Sequence, residues 1–271
     1  MAETKKTEVA EKKATAVTNA IDPSLLLEDA GTAAENMTQD DMMIPRISIL
    51  QSMSKQLIEG KPEYIENSKA GQIFENVDKS VIDGKKGITV VPVSYRRAYV
   101  EWLPDRKGIV TDHGSDSKCL EGCENVKGIH ITPDGNEIIT NGEYFVFVVN
   151  KDGFYPALIS MNKSQLKKSK RWNSMINRLS IPHPNGNGSI NPAMFWTSYT
   201  LTTVPESNDD GHWFGWDIKM MYDAQSGGIL ENLPNGADIY MAARDFRQRI
   251  ADNQVQATPE TADEESDAEV M

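Results

Sequence analysis

Apolar residues recur at every second position through much of this chain, the period of a β-strand whose two faces meet different surroundings. "IPRISIL" opens the pattern, predicting a strand from Ile44 with Ile47 and Ile49 on one face and Arg46, Ser48 and Leu50 on the other. "GQIFENV" and the longer "GITVVPVSYRRAYVEWLP" follow, both rich in β-branched and aromatic residues. Pro92 has no N–H for a ladder and marks an edge or a bulge. "EYFVFVVN" and "FYPALISM" read as a hairpin across Lys151, Asp152 and Gly153, and "AMFWTSYTLTTV" and "HWFGWDIKMM" as a last strand pair joined by the turn-rich "PESNDDG". Residues 104–142 form a polar excursion, a long loop with a small hairpin around "TPDGNE".

Twice the period lengthens to that of a helix. One runs from about Asn162 to Leu179 and is ended by "IPHPNGNGSINP", where three prolines and three glycines leave no helical continuation. The other spans about Gly236 to Ala251. Strands in hairpins with one helix between strand pairs favour a single barrel or sandwich over an alternating βαβ plan. They predict a mainly β fold with one or two helices, an antiparallel barrel of the oligonucleotide-binding (OB-like) type with insertions. There is no internal repeat.

The strand "SYRRAYVEW" adds chemistry to the pattern. Alternation places Tyr95, Arg97, Tyr99 and Glu101 on one face and Arg96, Ala98, Val100 and Trp102 on the other. A ring, a cation and a ring in a row can stack planar bases and neutralise phosphate, and can equally be an ordinary sheet face in which Arg covers Tyr. The helix "NKSQLKKSKRWNSMINRL" adds more. At 100° per residue, Lys163, Lys167, Lys170, Arg171 and Arg178 fall within an arc of about 100°, while Trp172, Met175, Ile176 and Leu179 gather elsewhere as an anchoring face. A third signal is the crowding of Trp196, Tyr199, Trp213, Phe214 and Trp216 into two adjacent strands, with at least one face committed to core.

Charge at first argues against a polyanionic partner, because the net charge is −12. Much of that excess lies past Arg249, the last basic residue, in Asp252, Glu260, Asp263, Glu264, Glu265, Asp267 and Glu269. The folded part is therefore only mildly acidic. The organisation that follows is a mostly disordered segment over 1–38, a folded domain over 39–252 and a disordered acidic tail over 253–271. No run approaches a bilayer span, and the Lys- and Glu-rich start has no secretory apolar region, so the protein is expected to stay inside the cell that makes it.

Other chemistry finds little support. Cys119, Cys123, His113 and His130 have loose spacing for zinc, and no metal or other cofactor is expected. "DGKKG" lacks the spacing and the hydroxyl of a phosphate-binding loop. Neither a Ser-His-Asp nor a His-Glu-x-x-His motif is present, and no enzyme is predicted.

"IPRISILQ", "VVPVSYRRAYVEWLP", "ALISMNKSQLKKSKRWNSM" and "LTTVPESNDDGHWFGW" resemble blocks of a family of tailed-bacteriophage single-stranded DNA-binding proteins, over most of residues 40–220. The resemblance implies an oligonucleotide-binding barrel acting in phage DNA replication and recombination, in the cytoplasm of the infected cell. It also implies an acidic tail that recruits a phage DNA polymerase or helicase. The tail residues would be Glu264, Glu265, Asp267, Glu269, Val270 and Met271. This tail departs from the pattern by ending in Val270 and Met271 where such tails commonly end in an aromatic residue.

The expected single-stranded DNA set is Tyr95, Arg96, Arg97, Tyr99, Lys163, Lys167, Lys168, Lys170, Arg171, Trp172, Arg178, Trp196, Tyr199 and Trp213. Self-association stays open. Two other readings remain at this point: a phage structural or assembly protein making protein contacts, and a metal-dependent nucleic-acid enzyme.

Overall fold

The structure, a computed structural model, describes residues 43–126, 128–209, 211–221, 228–252 and 255. The expected N-terminal segment over 1–38 and the acidic tail lie outside the described residues, apart from Val255. Described residues form a mainly β fold with few helices.

Two long strands make its centre: β4 (Ile88–Trp102) and β8 (Glu137–Asn150), antiparallel over nearly their whole length. Ahead of β4 come three short strands, β1 (Arg46–Ile49), β2 (Ile73–Glu75) and β3 (Val81–Ile82). Between β4 and β8 lie β5 (Ile109–Asp112), β6 (Glu124–Val126) and β7 (Ile129–Ile131). β9 (Gly153–Asn162) pairs with β8 through the predicted hairpin, whose loop is only Lys151 and Asp152 because Gly153 already faces Asn150. Helix α1 (Leu166–Arg178) follows, then a small ribbon of β10 (Ile181–Pro182) and β11 (Ser189–Ile190), then the hairpin β12 (Tyr199–Asn208) and β13 (Gly211–Met220). A single turn α2 (Ile229–Asn232) leads into α3 (Gly236–Ala251), which has the predicted bounds.

The sheet order is β13-β12-β4-β8-β9-β1-β2-β3, with β5 beside β4 and the β6–β7 pair beside β8. One pairing corrects the expectation of a wholly antiparallel barrel. β1 lies parallel to β9, Arg46 facing Leu158 and Ile47 facing Ile159, so the sheet is mixed. A parallel pair needs a long crossover, and here all of β2 to β8 lies in the connection. Pro92 sits at a register shift between Pro92 and Ser94, the bulge its missing N–H called for, within a central strand and not at an edge.

Curling brings the two ends of the sheet together into a half-barrel. The Thr203 N–H donates to the Gly84 carbonyl at 2.9 Å, and the Thr203 hydroxyl donates to the Gly71 carbonyl. At β13 the Gln51 side chain acts as a strand in miniature, accepting from the Phe214 N–H and donating to the Phe214 carbonyl, both at 2.9 Å. The amide thus covers an edge that would otherwise present bare backbone groups. Only glycine fits at 84, since a Cβ there would stand 1.9 Å from the Gly71 oxygen.

Each face has its own core. Alternation along β8 sends Tyr144, Val146 and Val148 to the concave side and Phe145 and Phe147 to the convex side, all buried. The concave cluster joins Ile47, Ile73, Val90, Ile159, Met161, Leu201, Trp216 and Ile218 from six further strands, with Trp172 of α1 closing it. The convex face is covered by α3 through Ile239, Ala243 and Phe246, the last ring stacked 5.5 Å from Phe147. Burial on both faces explains why "EYFVFVV" is apolar at nearly every position.

Candidate nucleic-acid interface

α1 begins with Leu166, later than the Asn162 expected from its periodicity. Asn162 still belongs to β9, and Lys163–Gln165 form a 3-10 turn in which Lys163 takes a positive φ of 44°. Lys163, half-buried, therefore leaves the helical stripe. The rest of the stripe holds. Lys167, Lys170, Arg171 and Arg178 are all exposed, no acid occurs in the helix, and none of the four is in an ion pair among the described residues.

The opposite side of the helix is fixed by packing. The Trp172 ring stacks on Tyr144 with centroids 4.1 Å apart and meets Tyr199 edge-on at 5.5 Å. The Tyr144 hydroxyl donates to the Ser169 carbonyl or to Asn173 Oδ1, each 2.9 Å away. Burial pushes the hydroxyls of Tyr144 and Tyr199 above the ordinary tyrosine range. Trp172 and Tyr199 have no exposed ring, both being 0% accessible, and this corrects their place among expected stacking residues. Trp172 is the one large ring with which α1 seals the half-barrel, and Tyr199 of β12 meets it there.

On β4 the expected row exists. Tyr95, Arg97 and Tyr99 share the concave side with Gly142, since Tyr95 faces Tyr144 and Arg97 faces Gly142. The Tyr99 hydroxyl raises the pKa of Arg97 further, burial opposes it, and Tyr95 adds a smaller push upward. Arg97 is exposed, but the rings beside it are not free platforms. Tyr99 is 6% accessible and Tyr95 packs 4.9 Å from Tyr144. Arg96, on the convex side, is spent on a structural pair with buried Glu143 at 2.5 Å, lies over the Phe145 ring and sits 3.8 Å from Asp112. These contacts give Arg96 a structural role.

The last strand pair is longer than its sequence implied. β12 runs on through Pro205 to Asn208, and Glu206 faces Trp213 across the ladder. Glu206 is a junction that the sequence reading missed. It takes Lys168 of α1 on one oxygen at 2.5 Å, and on the other Trp213 Nε1–H at 3.0 Å and Gln165 Nε2–H at 3.3 Å. Burial works to raise its pKa, but the hydrogen bonds from Lys168, Trp213 and Gln165 and the charge on Lys168 win and hold the carboxyl below its usual range. Gln165 also accepts the Trp216 N–H with its Oε1, closing the β13 edge a second time. Trp196 is half-buried, with Tyr240 edge-on at 6.4 Å.

The structure thus gathers two groups and separates them. At 100° per residue, Lys168 stands on the hairpin flank of α1 with Arg171 about 60° further round. Ser169 and Asn173 lie on the other flank, over Gly142 and next to the Tyr95 row. The basic stripe forms the crest between them, facing away from Trp172. In the excursion, Glu101 is held below its ordinary pKa first by Asn136 and then, against burial, by His113. Cys119 and Cys123 are free thiols; burial, with Asp116 nearby, pushes the Cys119 thiol up. Among the described residues no three His, Cys, Asp or Glu side chains gather as a metal site, and no helix is long and apolar enough to cross a membrane.

Comparison with curated proteins and with solved structures gave no match. A family profile gave one, described as Pam3 phage gp34-like protein, over residues 12–256. The chain, from its N-terminal region through the half-barrel and α3, belongs to the Pam3 phage gp34-like protein family.

Proposed function

We propose that this phage-family protein binds single-stranded DNA without sequence preference, as a non-catalytic protein of phage DNA replication and recombination working in the infected cell. The observation that carries the reading is the crest of α1. Four exposed cations stand there with no acid on the helix and no ion pair among the described residues, in a chain whose net charge is −12. A protein gains nothing for stability from clustering like charges, which repel one another. A polyanion laid along the crest relieves that repulsion and releases its own counterions.

Arg97 adds a fifth exposed cation on the Tyr95 flank, and Lys168 continues the basic surface toward the hairpin. The half-barrel would serve as the oligonucleotide-binding β surface that the resemblance implies. The acidic tail would recruit a polymerase or helicase.

A salt titration of a fluorescent single-stranded oligonucleotide, run beside a duplex of the same sequence, tests the proposal. Contact with four phosphates predicts an affinity falling with salt at a log–log slope of about −3, and weaker binding to the duplex. Absence of single-strand binding at low salt would refute it.

A further inference from the structure

We infer that Trp213 is a nucleobase-stacking subsite on the β12–β13 hairpin and that Glu206 is its positioning residue; the inference rests on the single-stranded DNA reading above. Trp102, Trp172 and Trp216 are buried at 0, 0 and 2% accessibility. Trp196 has Tyr240 at its edge and Gly228 pressed close to its indole. Trp213 alone of the five belongs to no core cluster and no ring pair among the described residues. A ring of this size is ordinarily placed by its own burial. Trp213 is half-buried and lies outside every core cluster, so that force is only partial and something else must complete the hold.

That something is the carboxylate opposite. Trp213 and Glu206 face each other across the ladder, so their side chains share a side of the hairpin, and the Nε1–H reaches Glu206 Oε2 at 3.0 Å. The tie is made in the plane of the ring through its N–H edge, and by itself it covers neither face. The same carboxylate takes Lys168, so the ring is locked to the helix that carries the cations. Gly215 keeps the arrangement open, because a Cβ there would lie 2.4 Å from Glu206 Oε2 and 2.7 Å from Gln165 Nε2. An oriented ring beside a cationic crest is what an unpaired nucleotide requires, a face for the base and a charge for the phosphate. Trp213 also completes what the Tyr95 row lacks, since those rings are packed.

The test uses the full chain and a labelled oligothymidylate at low salt, reading anisotropy for affinity and intrinsic tryptophan emission for contact. Wild type should be quenched on binding, and W213F should lose most of that quenching. W213A should weaken affinity by about 5- to 150-fold, the range for one stacked base. W196F should retain both signals. E206Q, whose amide oxygen still accepts the indole N–H, should bind more tightly than E206A although both variants lose the same charge.

If wild type does not bind the oligonucleotide at all, the DNA reading falls and this subsite with it. If wild type binds while W213F and W213A keep full quenching and affinity, the subsite is overturned and the DNA reading stands. Equal behaviour of E206Q and E206A would remove Glu206 from its positioning role.

Discussion

Gly142 lies where α1 settles on β8, and the contact leaves no room for a side chain. A Cβ at that position would stand 2.4 Å from Ser169 Oγ and 3.1 Å from Ser169 Cβ. G142A should therefore destabilise the fold by about 1–3 kcal/mol through overpacking. Urea midpoints measure the loss, and S169A in the same chain should recover part of it by removing the nearer atom. The periodicity of "SYRRAYVEW" was enough to place Tyr95, Arg97 and Tyr99 together, and the structure keeps them so. It could not assign Arg96, whose partner Glu143 lies directly opposite on β8. Cross-strand register is a property of two segments, and no single segment encodes it.

α1 was legible as an element because a helix writes its exposed and buried sides into the order of its own residues. Lys167, Lys170, Arg171 and Arg178 came out on the predicted side, and Trp172 on the other. Replacing Lys167, Lys170 and Arg171 together by Ala should weaken single-strand binding on every sequence alike. It should also flatten the log–log salt slope by about 2, from about 0.7 per lost phosphate contact. Titrations at several salt concentrations with oligonucleotides of different composition check both effects.

The β12–β13 hairpin was harder to read. "PESNDD" has the composition of a turn, yet pairing from Tyr199 facing Met220 to Asn208 facing Gly211 carries the strands almost to its tip. Partners on β13 override the weak strand preference of Pro205, Ser207 and Asn208. Reading that stretch as loop is what hid Glu206.

At the scale of the molecule, ionised glutamates tie distant segments together. Glu101 on β4 accepts from Asn136 Nδ2 at 2.7 Å and lies 2.8 Å from His113 Nε2, fastening the excursion, while Glu206 fastens α1 to the hairpin. Both carboxyls have folded-state pKa values below the ordinary one. In the window between the folded and unfolded values the unfolded chain binds the extra protons, so stability rises with pH there. Their contribution is complete above the unfolded glutamate value, near 4.3, and is lost as pH falls through the folded values. Urea midpoints taken from neutral pH down to about pH 3 should fall more steeply for wild type than for E101Q.

The strand order around the half-barrel was beyond the sequence, because it is set by which apolar faces find each other once all strands exist. The union of β1 with β9 has a temporal meaning during synthesis. A ribosome delivers β1, β2 and β3 early, yet the neighbour that β1 rests on emerges only when residues 153–162 have been translated. Until then the first three strands must wait, and the fast local closure of β8 onto β9 becomes the step that gives β1, β2 and β3 their place.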